Sequence, residues 1–226
     1  MREIVFDTET TGLSFSGGDR LVEIGCIEMV NRVETGRTFH CYFNPERAMA
    51  AEAQAVHGLG DAFLADKPLF ADKVEELLEF LGDAPLVAHN AGFDFGFLNG
   101  ELGKCGRVVV AFERMVDTLQ IARQRHPGAK HTLDALCTRY GVDRSHRVLH
   151  GALLDAQLLA QVYVELTGGR QIGLGLVSDA PEPVAAAATS MSVVRPPRRF
   201  AASPAELAAH AAFMKEIANP LWLAEA

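Results

Sequence analysis

Three short stretches of this chain carry acids at spacings that chemistry could use. FDTETTGL, residues 6–13, puts Asp7 and Glu9 one residue apart after the apolar run MREIVF; HNAGFD, residues 89–94, ends on Asp94; HGALLD, residues 150–155, runs from His150 to Asp155. On an extended backbone residues i and i+2 point to the same face, so Asp7 and Glu9 project together. Two carboxylates about 5 Å apart repel by roughly 3 kcal/mol at an effective dielectric of about 20. A divalent cation removes that repulsion. A solvated turn, with threonine hydroxyls and water around both acids, is the plainer account of so short a pattern. The second stretch also has a plain account: Asn90 caps a helix and Asp94 lies in its first turn, where the macrodipole favours negative charge. Asp155 is harder to explain away. It sits between Leu154 and Ala156 in a largely apolar helical run, and a buried carboxylate needs a partner. His150 lies just outside that helix, free to aim at the same point.

The elements that must position these residues follow from periodicity. Residues 2–6 read as a strand that stops at the DTETTG turn. LVEIGCIEMV (21–30) and residues 35–43 are short and apolar-rich, with NRVETG as the hairpin connection between them, a three-stranded antiparallel start. Between Lys67 and Leu81, apolar Leu69, Phe70, Val74, Leu77, Leu78 and Leu81 recur at helical spacing. PLVA (85–88) reads as a short buried strand leading into HNAGFD, and Phe93 to Leu102 as a helix. Thr132 to Tyr140 and Ala152 to Thr167 are two more helices, the second stopped by Gly168-Gly169. Strands first, then strands alternating with helices, indicate an α/β layer around a mixed sheet. Asp7 and Glu9 then fall at the carboxyl end of a strand, where α/β sheets bind ligands.

The formal charge of −8 argues against non-specific nucleic-acid binding over the whole surface, although Lys104 to Arg147 holds nine Lys/Arg against four Asp/Glu, a local +5. That stretch is either a solvated helical face or a phosphate-facing one. Cys26, Cys41, Cys105 and Cys137 form no CxxC pair and read as reduced core cysteines of a cytoplasmic protein. No apolar run approaches the roughly 18 residues of a membrane span, and the first ten residues do not read as a signal peptide. After Leu176 the texture turns to proline, alanine and small polar residues, which reads as a flexible linker. Order is expected again at Ser203-Pro204-Ala205-Glu206, a capping box with proline at the first helical position. That helix carries Leu207, Ala211, Met214 and Ile217 as a stripe, stops at Asn219-Pro220 and is followed by Leu221-Trp222-Leu223. It is too short to build a core of its own and should dock on something. The organisation is therefore a domain over 1–170, a linker over 171–202 and a helical tail over 203–226.

Taken in order, DTETTGL, HNAGFD and HGALLD resemble the motifs of the DnaQ-like 3′–5′ exonucleases with a four-acid-plus-histidine (DEDDh) site, over residues 2–169. Within that family, LDALCTRYGVDRSHRVLHGALLDAQLLAQVYVELTGG resembles the proofreading subunits of bacterial replicative DNA polymerases. The resemblance implies an RNase H-like α/β fold, a mixed central sheet flanked by helices, with a flexible C-terminal tail. It implies that Asp7, Glu9 and Asp155 ligate two divalent cations, Mg²⁺ or Mn²⁺, with Asp94 completing the site. His150 would take the proton from the water that attacks the scissile phosphate. The backbone around Thr10 and the side chain of Leu13 would line the terminal nucleotide at the DNA 3′ end, single-stranded or frayed, with Glu52 and His57 beside it. Asp7, Glu9 and Asn90 would border the same substrate. Glu52 is otherwise a helical surface acid, Phe93 either stacks on a base or packs the core, and His89 either orients a ligand or satisfies a backbone carbonyl. Residues 171–176, QIGLGL, are similar to the glutamine-plus-apolar peptides that dock on sliding clamps, or are a glycine-rich exit from the helix. The tail from 203 to 226, with Trp222, matches the family's polymerase-binding segment in place and character.

Overall fold

In this computed structural model the described residues are 1–145, 147, 149–169 and 201–217. The chain divides into two compact units, 1–176 and 177–226. The first is built on five strands: β1 (Arg2–Thr10), β2 (Leu21–Val30), β3 (Val33–Tyr42), β4 (Leu86–Ala88) and β5 (Met115–Asp117), in the order β3-β2-β1-β4-β5. β1–β2 and β2–β3 are antiparallel, whereas β1–β4 and β4–β5 are parallel, so the sheet is mixed as expected.

Helices cover both faces, which is why β1 and β2 are buried nearly throughout. Ile4 and Phe6 of β1 pack into a core with Val74 and Leu77 of α3 (Phe70–Leu81) and Phe95 and Leu98 of α4 (Gly92–Lys104). Val5, on the alternate face, packs with Ile27, Val87 and the Ala156, Leu159 and Ala160 stripe of α7 (Ala152–Leu166). Four shorter helices complete the unit: α1 (Ala51–His57), α2 (Asp61–Leu64), α5 (Thr118–Arg125) and α6 (Leu133–Tyr140).

Several boundaries differ from the sequence expectation. β1 does not stop at Phe6. Asp7, Thr8 and Glu9 keep pairing with Gly25, Ile24 and Glu23, and the chain turns only after Thr10. Backbone pairing to an apolar partner strand outweighs the polar side chains. The hairpin connection is two residues, not six: Asn31 and Arg32 have φ of 52° and 64°, the doubly left-handed turn that matches strand twist. The helix expected from Lys67 begins at Phe70, with the Asp72 carboxylate accepting the Leu69 N–H at 2.9 Å. β5, α2 and α5 escaped the periodicity reading because each is eight residues or fewer with little apolar stripe. All four cysteines are free, Cys26 and Cys137 buried, Cys41 and Cys105 half-buried.

In the second unit, α8 (Pro204–Glu216) starts at the expected capping box: Ser203 Oγ accepts the Glu206 N–H, and Glu206 accepts the Ser203 N–H at 2.7 Å. The QIGLGL peptide at 171–176, most of the linker, the stop at Asn219-Pro220 and Trp222 lie outside the described residues. Among the described residues no helix is long and apolar enough to cross a membrane.

One glycine sets the distance between sheet and helix. A Cβ on Gly25, the residue paired with Asp7, would stand 2.3 Å from Leu153 Cα and N. The backbone of α7 therefore rests directly on β2, two residues before Asp155. Gly25→Ala must push α7 off the sheet, and an overpacked core of this kind loses about 1–3 kcal/mol. The expected result is a lower melting temperature; an unchanged one would show that α7 does not rest there.

Candidate active site

The alternation of β1 decides where each acid goes. Asp7 and Glu9 share the face of Val5 and look towards α7, whereas Thr8 shares the face of Phe6 and looks towards α4. Because Gly25 lets α7 close in, Asp155 in its first turn arrives beside Glu9. Donor atoms of Glu9, His150 and Asp155 all lie within 4.8 Å of one another. Asp94 enters from the first turn of α4, where the Thr8 hydroxyl donates to Asp94 Oδ1 at 2.7 Å. His150 precedes α7 on a segment that rests on the end of α1, its N–H donating to Val56 O at 3.3 Å. All five residues line one cavity of about 660 Å³.

Electrostatically these acids are crowded. Burial, followed by the Asp94, Glu9 and Asp155 charges, holds the Asp7 carboxyl well above the usual carboxylate range. Burial, with Glu23 and Asp155 close by, pushes Glu9 up to about 8. Burial raises Asp94 to about 7, against the opposing hydrogen bond from Thr8. Glu23, paired with Glu9 across the β1–β2 ladder, is also buried and lies 2.7 Å from His40 Nε2.

Positive charge at Asp155 comes from a residue the motif reading did not single out. Arg147 grips both Asp155 oxygens, Nε to Oδ1 at 2.5 Å and Nη2 to Oδ2 at 2.7 Å. Its Nη1 donates to Asp134 Oδ1 at 2.8 Å, and Nη2 stands 2.7 Å from His150 Nδ1. The sequence showed Arg147 only as part of the basic stretch, and that stretch does not form one face. Arg107 pairs with Glu75, Arg114 donates to Ala84 O and Arg125 to Leu166 O, while Arg123 borders the acidic cavity.

A second cavity of about 590 Å³ adjoins the first across Thr8, Glu9 and Phe93. It brings together Thr10, Leu13, Glu52, Val56 and His57. Leu13 is 87% exposed at its edge. Phe93 is half-buried, packed on Phe97 at 5.0 Å between ring centroids, and forms the wall common to both cavities. His57 Nδ1 accepts the Leu59 N–H at 3.0 Å, so the proton resides on Nε2, which is buried without a hydrogen-bond partner among the described residues. Burial lowers the His57 pKa, which keeps this ring neutral.

One neighbour of the site, Asn90, differs from the sequence reading. Asn90 is not the helix cap. It is exposed in the left-handed region at φ 62°, with its N–H donating to Asp117 Oδ1, and Ala91 occupies the cap position. His89 Nδ1 lies 2.9 Å from Thr118 Oγ1; that hydroxyl in turn donates to Ala88 O, so the ring is the donor to it. Thr118 and Arg147 carried no spacing signal; each is recognisable only by the partner the fold gives it.

An exonuclease family model, RNase_T, matches residues 4–163. Proteins named DNA polymerase III subunit epsilon are similar along most of their length. The one from Rickettsia felis is 54% identical over 185 residues, 80% of this chain and 81% of that one. Those from Salmonella typhimurium and Escherichia coli K12 are 45% and 48% identical, over 92% and 75% of this chain and 90% and 72% of theirs. Among solved structures, exonuclease X in complex with 5′ overhanging duplex DNA aligns at a TM-score of 0.57 and 25% identity, over 73% of this chain and 90% of that one. The nuclease domain of 3′hExo, a DEDDh family member bound to rAMP, shares the fold at a TM-score of 0.64 and 16% identity, over 74% and 91%. The chain belongs to the RNase T exonuclease family and, within it, to the DNA polymerase III epsilon subunits.

Proposed function

We propose that this chain removes mispaired nucleotides from DNA 3′ ends, as the proofreading subunit of a replicative polymerase, through a site formed by Asp7, Glu9, Asp94, His150 and Asp155. The observation that carries the site assignment is the convergence of donors from Glu9, His150 and Asp155 within 4.8 Å beside Asp7 and Asp94, whose carboxyls are held above their usual range. Burying acids this close is unfavourable unless cations accompany them, and hard oxygen donors suit Mg²⁺ or Mn²⁺. We assign Asp7, Glu9 and Asp155 to hold two such cations, with Asp94 completing the set. When bound, the cations neutralise the phosphate and polarise it towards attack.

The chain's own residues do the rest. Thr8 fixes the Asp94 carboxylate through its hydroxyl. His150 takes the proton of the attacking water at a ring nitrogen, as a general base beside the acids. The adjoining cavity takes the terminal nucleotide: Leu13, Val56 and Phe93 cover apolar surface, and the buried His57 ring lines the same space. Thr10 and Glu52 border the same space, and Asn90 stands at the mouth of the acidic cavity. A mispaired end frays more readily, so it enters a single-strand site at lower unpairing cost.

The similarity to epsilon subunits supports a polymerase partner, which we assign to the tail from 203 to 226. We assign 171–176 to a sliding clamp, at the replisome on the nucleoid. The linker between them would keep the exonuclease near the primer end at high effective concentration.

His150→Ala is expected to lower Mg²⁺-dependent digestion of single-stranded DNA by about 10²–10⁴-fold. Asp7→Ala and Asp155→Ala should abolish it, and wild-type rates in either would refute the site. Melting in chelator should fall as pH rises. Unfolded Glu9 ionises from about 4.5, whereas the folded residue keeps its proton to about 8. Over that window the folded state binds the extra proton, so stability is present at low pH and lost as pH climbs to 8. Excess Mn²⁺ should remove the decline, and scanning calorimetry across pH reads both. Deleting residues 200–226 should end co-purification with the polymerase subunit while leaving digestion of single-stranded DNA intact.

A further inference from the structure

Arg147 occupies Asp155 more completely than a neighbour that merely balances charge. Its side chain is 9% exposed, it engages both carboxylate oxygens with two parallel N–H donors, and its third nitrogen reaches Asp134. This bidentate geometry is the strongest pairing a carboxylate makes with a side chain. The same guanidinium stands against His150 Nδ1, which itself lies 3.1 Å from Asp155 Oδ2. A divalent cation held by either Asp155 oxygen would share it with a like charge.

The two acids that hold Arg147 differ in kind. Asp155 is 4% exposed and faces the cavity, whereas Asp134, on the first turn of α6, is 47% exposed and also binds Arg144 at 2.9 Å. Arg147 is bonded to both at once, from the connection between α6 and α7. A guanidinium that leaves Asp155 therefore already has an outer carboxylate to stay on.

We infer that Arg147 is a resident counter-ion that holds Asp155 and His150 until a divalent cation displaces it onto Asp134, so that the balance between Asp155 and Asp134 sets how tightly the site takes its cations. Arg147 is a positioning residue in this scheme. The inference rests on the cation site assigned above, and the test separates the two.

Mn²⁺ binding to the full-length protein without DNA is measured by calorimetric titration and by the loss of the free-ion paramagnetic resonance signal. Arg147→Gln removes the competing charge and should tighten Mn²⁺ binding several-fold. Asp134→Asn removes the outer carboxylate, leaves Arg147 on Asp155, and should weaken binding. Opposite signs are the signature, because general damage to the fold would weaken both. Arg147→Gln should also melt earlier than wild type in chelator and gain more from Mn²⁺. Arg147→Lys, which keeps the charge but not the two-pronged grip, should fall between wild type and Arg147→Gln and carries the test if the glutamine variant does not fold. Unchanged or weaker binding in Arg147→Gln, or shifts of the same sign in Arg147→Gln and Asp134→Asn, would overturn the inference. Wild-type protein that takes up no Mn²⁺, or Asp155→Asn that binds like wild type, would overturn the cation site and this inference with it.

Discussion

Like charges brought together out of water are the constraint that the rest of this structure answers to. Asp7, Glu9, Asp94 and Asp155 meet at one end of the sheet, with Glu23 beside them, and each close pair costs about 3 kcal/mol or more before any compensation. The compensation is distributed over the fold. Thr8 donates to Asp94, Arg147 neutralises Asp155, and His40 stands against Glu23. Two extensive cores on either side of the sheet supply the stability that tolerates what is left unpaired. The acids are affordable because β1 lies at the centre of that packing.

The layer geometry turns one strand into two sets of contacts. Successive residues of β1 face opposite helices, so a single stretch, Asp7-Thr8-Glu9, presents acids to α7 and a hydroxyl to α4. The α7 helix could not reach its place with a bulkier neighbour. Gly25 lets the α7 backbone settle on β2 directly opposite Asp7, and the separation of Asp155 from Glu9 follows from that contact. Fold and site are thus joined through backbone proximity as well as through side chains.

The three-stranded antiparallel start and the long helices were legible in the sequence because apolar periodicity is strong in LVEIGCIEMV, in 70–81 and in 152–166. The acids of DTETTGL and HNAGFD each had a plainer local account, and with HGALLD they stood out as a set only in their order along the chain, through the family resemblance that order carries. The rest depends on partners that only tertiary structure supplies. Arg147 looked like any residue of a basic stretch until Asp155 and Asp134 closed on it. The polar end of β1 resembled a turn, since nothing local shows that β2 will pair with it as far as Thr10. Asn90 had the composition of a cap, but its backbone lies in the left-handed region and the cap falls one residue later.

His150 and Arg147 are held differently from the acids they touch. Asp7 and Glu9 belong to a central strand and Asp155 to a buried helix, whereas Arg147, Leu149 and His150 lie outside both and, among the described residues, are held by polar bonds and the contact of Leu149 against Gly58. Segments of that kind open in local fluctuations that leave the global fold untouched. The molecule thus has two thresholds of durability. The amides of Arg147 and His150 would exchange with solvent long before those of β1, and mild denaturant would separate both residues from Asp155 while the spectroscopic signature still read as native. A cluster assembled this way comes apart before the fold that carries it does.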